Sequence, residues 1–258
     1  MNRTLIGGLH VLERRVTDPL ATVICVHGGL DRGGSFARVA RRLESYDVLT
    51  YDRRGYQGSR ALSPLDLSHH VQDLLELAAL ERRANPVVVL GHSYGGVVAL
   101  SAALSDANAI DLIIAYEAPL PWIHKRPGYV ERLGSDPANE AEIFFRRMVS
   151  DSSWQRLSEI ERAGRRADGV ALLDDLNTIR REPPFDISEL RTALTYSYGD
   201  GDLARYSYYH ELCELLRAKV PFMRERTLPR ALHGAHLANP DQLARMIDEE
   251  WRVQCALA

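Results

Sequence analysis

The chain has 258 residues, with 35 acidic against 32 basic side chains and a net charge of −3. That near-balance argues against a nucleic-acid or anionic-membrane partner, since either would call for a basic field. The length suits one α/β domain carrying an insertion better than two independent domains, and an apolar share of 45% is enough for a sizeable core.

The opening stretch, MNRTLIGGLHVLERR, does not read as a signal peptide. Gly7, Gly8 and His10 break its apolar run, and Glu13 follows. No uninterrupted apolar segment nears the ~20 residues needed to span a bilayer. Cys25, Cys213 and Cys255 are odd in number, far apart and form no CxxC. They read as reduced thiols, which sets the expectation of a cytoplasmic protein. His69 and His70 are adjacent rather than at helical ligand spacing, so no metal is expected.

Continuous apolar runs at 21–26, 47–52, 86–91 and 110–118, with a β-rich run at 192–199, predict strands buried on both faces. Between them, 66–83 places Val71, Leu74, Leu75 and Ala78 on one helical face, with Asp66 and Ser68 as caps. Gly96 to Leu104 predicts a small-residue helix. The tail sets Leu243, Met246 and Ile247 at helical spacing after Pro240. Such alternation predicts an α/β fold: a mostly parallel sheet with helices on both faces.

The rhythm breaks after Pro119. Helical patterns at 138–150, 153–166 and 169–181 fill the stretch up to about Leu190, bordered by PLPW and EPPF. The expected organisation is a core formed by 1–119 and 191–258, with 120–190 inserted as a helical lid.

The stretch VVVLGHSYGGVVAL (87–100) carries the chemistry. Gly91-His92-Ser93-Tyr94-Gly95 is G-x-S-x-G between a predicted strand and a predicted helix. In that setting the turn is tight, its flanking positions demand glycine, and the serine hydroxyl is presented as a nucleophile above a helix N-terminus. A phosphate loop would need G-K-[ST] and a dinucleotide site G-x-G-x-x-G; neither is present. A serine nucleophile needs a base, an orienting acid and oxyanion donors. In VHGGLD (26–31), the Gly29 N–H can face the elbow, with the Tyr94 N–H as second donor, while His27 reads as a structural turn residue. LPRALHGAHLANPD offers His233 and His236, and YSYGDGDLARY offers Asp200 and Asp202. The order Ser93, Asp202, His233 is the nucleophile–acid–base order of this architecture.

These segments together resemble the α/β-hydrolase fold superfamily over nearly the whole chain: VHGG as the oxyanion turn, YDRRGYQGS, GHSYGG as the elbow, and HGAHLANP as the histidine loop. The resemblance implies a cofactor-free serine hydrolase acting on an ester, lactone, thioester or related small acyl substrate. A perhydrolase or haloperoxidase-like enzyme with the same triad, or a ligand-binding protein on this fold, are its rivals. It makes Asp52, Arg54, Gly55 and Gly58 architectural. It also selects His233 as base, seven positions before Pro240, with His236 as the alternative. Asp202, ending G-x-x-D after the strand that follows the lid, is the expected acid, and Glu117, after the preceding strand, is the alternative.

Overall fold

The computed structural model describes residues 1–125, 134–180 and 182–257. The expected insertion, 120–190, thus includes 126–133 and 181, which lie outside the described residues. In chain order the elements are β1 (Asn2–Ile6), β2 (Leu9–Arg14), β3 (Thr22–Val26), α1 (Ala37–Ala40), β4 (Asp47–Tyr51), α2 (Leu67–Glu81), β5 (Val87–His92), α3 (Tyr94–Ser105) and β6 (Leu112–Tyr116). Among the described residues four helices follow: α4 (Pro137–Met148), α5 (Asp151–Arg156), α6 (Glu159–Ala167) and α7 (Gly169–Thr178). Then come β7 (Ala193–Gly199), α8 (Leu203–Lys219), β8 (Arg224–Leu228), α9 (Ala235–Ala238) and α10 (Pro240–Leu257).

The strands form one sheet in the order β1-β2-β4-β3-β5-β6-β7-β8. β1 pairs with β2 and β2 with β4 antiparallel; every later pairing is parallel. β3, β5 and β6 are buried along their whole length because both faces are covered. In β5, Val87 and Val89 join the core beneath α2, α3 and α8, while Val88 and Leu90 join the one beneath α1 and α10. β4 and β5 lie on opposite sides of β3, so the chain reverses its direction of travel across the sheet there. A crevice at the carboxyl ends of strands at such a reversal is where ligands bind in open α/β sheets.

Several elements differ from the sequence expectation. The N-terminal β1–β2 hairpin was hidden because its strands are short and partly exposed. The helix expected over 153–166 is two, because Ser158 caps α6 in a reciprocal box with Glu161 and so ends the preceding turn. α8 has little amphipathic contrast along its length and gave no periodic signal.

Helices α4 to α7, between β6 and β7, are tied to the sheet by charge as well as by packing. Arg53 and Asp175 are both fully buried, with Nη2 2.6 Å and Nη1 3.1 Å from the carboxylate oxygens. Tyr56 Oη donates to the same carboxylate at 2.6 Å, and the guanidinium stacks over the Tyr56 and Tyr94 rings. At the start of α7, Asp168 accepts from Gln57 Nε2 and Arg60 Nη2, each at 2.6 Å. Around them Leu30, Tyr56, Ala171 and Leu172 form a small apolar cluster of their own.

A buried pair broken on one side leaves an uncompensated charge. Asp175→Ala should therefore lower unfolding free energy by about 3–5 kcal/mol, read from urea transitions. Arg53→Met combined with Asp175→Ala should lose less than Asp175→Ala alone. A loss below ~1 kcal/mol for Asp175→Ala, the scale of an exposed pair, would contradict this anchoring.

Candidate active site

Ser93 joins β5 to α3 with φ 54° and ψ −126°, a region that L-residues avoid unless the surroundings enforce it. The enforcement is visible. A Cβ on Gly91 would lie 2.6 Å from the Gly95 carbonyl oxygen, and one on Gly95 would lie 2.1 Å from the Val26 carbonyl oxygen. The glycines therefore relieve two separate contacts, one within the turn and one against the end of β3. The Ser93 N–H donates to the Tyr116 carbonyl at 2.9 Å, which ties the turn to β6.

β3 runs into the turn His27-Gly28-Gly29-Leu30. A Cβ on Gly28 would sit 2.8 Å from Ser93 Cβ, so this turn passes directly beside the serine. Tyr94 is the first residue of α3. An N–H in a first helical turn has no intrahelical acceptor. Among the described residues the Gly29 and Tyr94 N–H groups have no hydrogen-bond acceptor. His27 is buried beneath the turn, with Nδ1 2.7 Å from the Gly28 carbonyl and Nε2 accepting the Arg53 N–H at 2.9 Å.

His233 lies in the loop between β8 and α9, which two bonds hold in place. Tyr116 Oη donates to the Leu232 carbonyl at 2.9 Å, and His92 Nε2 donates to the His233 carbonyl at 2.8 Å. His233 Nδ1 is 2.7 Å from Glu117 Oε2. Glu117, just past the end of β6, is 1% exposed and has φ 46°. Its Oε1 accepts the Gly199 N–H at 3.2 Å, and Arg205 Nη1 lies 3.3 Å from Oε2. Burial raises the carboxyl pKa, but His233, Arg205 and the Gly199 N–H outweigh it, so the group is held below its ordinary value and is ionised at neutral pH.

Asp202 is not on the histidine, which corrects the expectation for the acid. β7 ends at Gly199, and Asp202 is exposed, where it caps α8 by accepting the Arg205 N–H at 2.8 Å. The free N–H groups of a helix start supply the physical reason. Asp200 is likewise engaged outside the site, accepting from the Arg230 N–H. His236, the alternative base, is buried against the Phe36 ring, with Nε2 3.1 Å from Asp31 Oδ2. Asp31, just past the turn that follows β3, thus faces α9, although His236 Nε2 makes no hydrogen bond among the described residues. Asp31, His92 and His236 also bring three potential metal-ligand atoms within 4.8 Å of one another, a grouping made by the fold and invisible in the sequence.

Ser93, Gly29, Tyr94, Glu117 and His233 line one cavity of about 390 Å³. Its opposite wall comes from the inserted helices: Phe144 and Met148 of α4, Leu172, Asp175 and Leu176 of α7. Sequence reasoning missed Arg53, Asp175 and Arg205. Arg205 had a signal, an arginine three residues after a capping aspartate; the Arg53–Asp175 pair, 122 positions apart, had none.

A family model described as the alpha/beta hydrolase family matches residues 23–246. The chain is 37% identical over 87 residues to a monoacylglycerol lipase of Mycolicibacterium smegmatis, a match covering 31% of each chain. It is 30% identical over 111 residues to lipase LipV of Mycobacterium tuberculosis, covering 43% of this chain and 41% of the relative. The matched region is thus under half the length of either relative. In overall shape it is similar to a thermophilic esterase from Thermogutta terrifontis, with a TM-score of 0.72 and 20% identity over 98% of this chain and 99% of the other. Among the described residues no helix is long and apolar enough to cross a membrane.

The buried histidines make stability pH-dependent. Burial, with the Arg53 charge nearby, pushes His27 down to about 4. Burial, with Arg53 nearby, pushes His70 below its ordinary range, and burial, with the His236 and His233 rings nearby, does the same to His92. For each, the unfolded chain takes up a proton before the folded one. Stability is therefore full above the ordinary imidazole value of about 6.5 and falls as pH drops toward the folded values. The urea midpoint should decline between about pH 7 and pH 5; a midpoint flat over that interval would show that these rings are not buried neutral.

Proposed function

The chain belongs to the alpha/beta hydrolase family, and from that premise we propose that it is a serine hydrolase acting on a small ester or related acyl compound, with Ser93, His233 and Glu117 as its triad. The observation that carries the reading is the 2.7 Å contact between His233 Nδ1 and Glu117 Oε2 in the cavity that Ser93 also lines.

The steps follow from those positions. Ser93 Oγ attacks the acyl carbon as its proton passes to His233 Nε2. The buried Glu117 carboxylate fixes the Nδ1–H tautomer and stabilises the imidazolium as it forms. The N–H groups of Gly29 and Tyr94 receive the oxyanion of the tetrahedral intermediate, aided by the α3 dipole. His233 then gives its proton to the leaving alkoxide and the acyl-enzyme remains. Water, deprotonated by His233, attacks it, and the Ser93–acyl bond breaks as His233 returns that proton to Ser93 Oγ, releasing the acid and restoring the serine. The apolar side chains of α4 and α7 give the acyl group a dry wall, so the inserted helices serve as a lid.

A neutral fluorophosphonate should label Ser93 covalently, and Ser93→Ala should abolish the labelling together with ester turnover. Persistent labelling of that variant would move the nucleophile elsewhere. Glu117→Gln, which keeps the shape but not the charge, should lower kcat by about 10⁴. Asp202→Asn should keep near-normal turnover, since asparagine caps a helix as well as aspartate does. The reverse ranking would return the acid to Asp202. His233→Ala should be as damaging as loss of the serine, while His236→Ala keeps chemistry and loses stability.

A further inference from the structure

Arg147 and Arg205 line the cavity, and the carboxylates that line it among the described residues, Glu117 and Asp175, are already engaged. Asp175 is held by Arg53 and Tyr56 outside the cavity wall, and Glu117 by His233. Arg205 meets Glu117 through Nη1 alone, at 3.3 Å; its Nε and Nη2 have no hydrogen-bond acceptor among the described residues. Yet its side chain is only 16% exposed. Arg147, on α4, rests over the Phe144 ring and pairs with no carboxylate among the described residues.

A guanidinium is planar and forked, and its unused edge matches a carboxylate with two parallel N–H bonds. Left without an anion, Arg205 works against the triad, because its charge competes with the imidazolium for Glu117. An anion on its free edge removes that competition at the moment His233 becomes charged. Resting on the serine-hydrolase reading for the reaction, we propose that the substrate class is an acyl compound that itself carries a carboxylate, such as the monoester of a short dicarboxylic acid. Arg205 is then the residue that receives the carboxylate, with Arg147 as the second cation on the lid side. The cavity of about 390 Å³ suits a molecule of that size. The carboxylate binds next to the Glu117–His233 pair, so a short spacer separates it from the reacting carbonyl. The reaction itself is ordinary hydrolysis: water adds, the ester C–O bond breaks, and a dicarboxylate and an alcohol leave.

Binding is tested apart from turnover on Ser93→Ala protein by calorimetry, with monomethyl glutarate and its neutral counterpart methyl valerate. The anionic ester should bind at least about tenfold more tightly, the range of one hydrogen bond to a charged group. Adding Arg205→Gln should remove most of that advantage, and adding Arg147→Gln should reduce it. Equal affinities for the two esters would overturn the proposal, as would an advantage that survives both arginine substitutions. With active protein the same preference should appear in kcat/KM, and in Arg205→Gln it should collapse for the anionic ester more than for the neutral one. Fluorophosphonate labelling of the wild type reports separately on the nucleophile. Lost labelling with intact anion preference would sink the reaction and leave the anion site standing; intact labelling without preference would do the opposite.

Discussion

The packing of the first turn of α3 against the end of β3 is the constraint on which the site depends. Backbone meets backbone there, with a hypothetical Gly95 Cβ only 2.1 Å from the Val26 carbonyl oxygen. Such an approach excludes any side chain at 95, and the tight reversal before it excludes one at 91. The residue between them is left with φ 54°. That strain, of order 1–3 kcal/mol, is sustained because β5 lies between β3 and β6 at the centre of the sheet. The same approach brings Gly28 and Gly29 beside Ser93, so the proposed nucleophile and oxyanion donors come from one packing event.

Charge completes what packing begins. Buried polar contacts fix the elements around the cavity: Arg53 with Asp175 for the inserted helices, and Glu117 with His233 beside the proposed nucleophile. In such surroundings a satisfied pair holds one geometry and an unsatisfied partner is costly. The buried histidines 27 and 92 are neutral props, and their hydrogen bonds to main-chain groups hold the turn after β3 and the His233 loop in position.

The sequence made the elbow legible because its glycines answer a steric demand that few other turns make. The parallel strands were legible because burial on both faces writes continuous apolar runs such as VVVL. The acid was harder. Asp202 and Glu117 both follow strands, and their difference lies in what comes next. Asp202 is followed by a helix that needs a cap, and the run LARYSYYHELCELLRAK shows that helix only weakly because aromatic residues occupy several of its faces. Glu117 turns inward through a positive φ that no residue type announces. The arginines of the cavity were unreadable for another reason: they are scattered over 59 positions and converge only when the inserted helices and α8 close over the sheet.

The most direct test of the central claim is whether Glu117 and His233 work as one unit. It compares kcat/KM for a short ester in Glu117→Gln, His233→Ala and the double variant. Groups that act together lose their effect once, so the double variant should be no slower than His233→Ala alone, with a residual rate above that of water from the oxyanion donors. Losses that multiply in the double variant would show that the two side chains contribute independently, and the 2.7 Å contact between them would then be structural rather than catalytic.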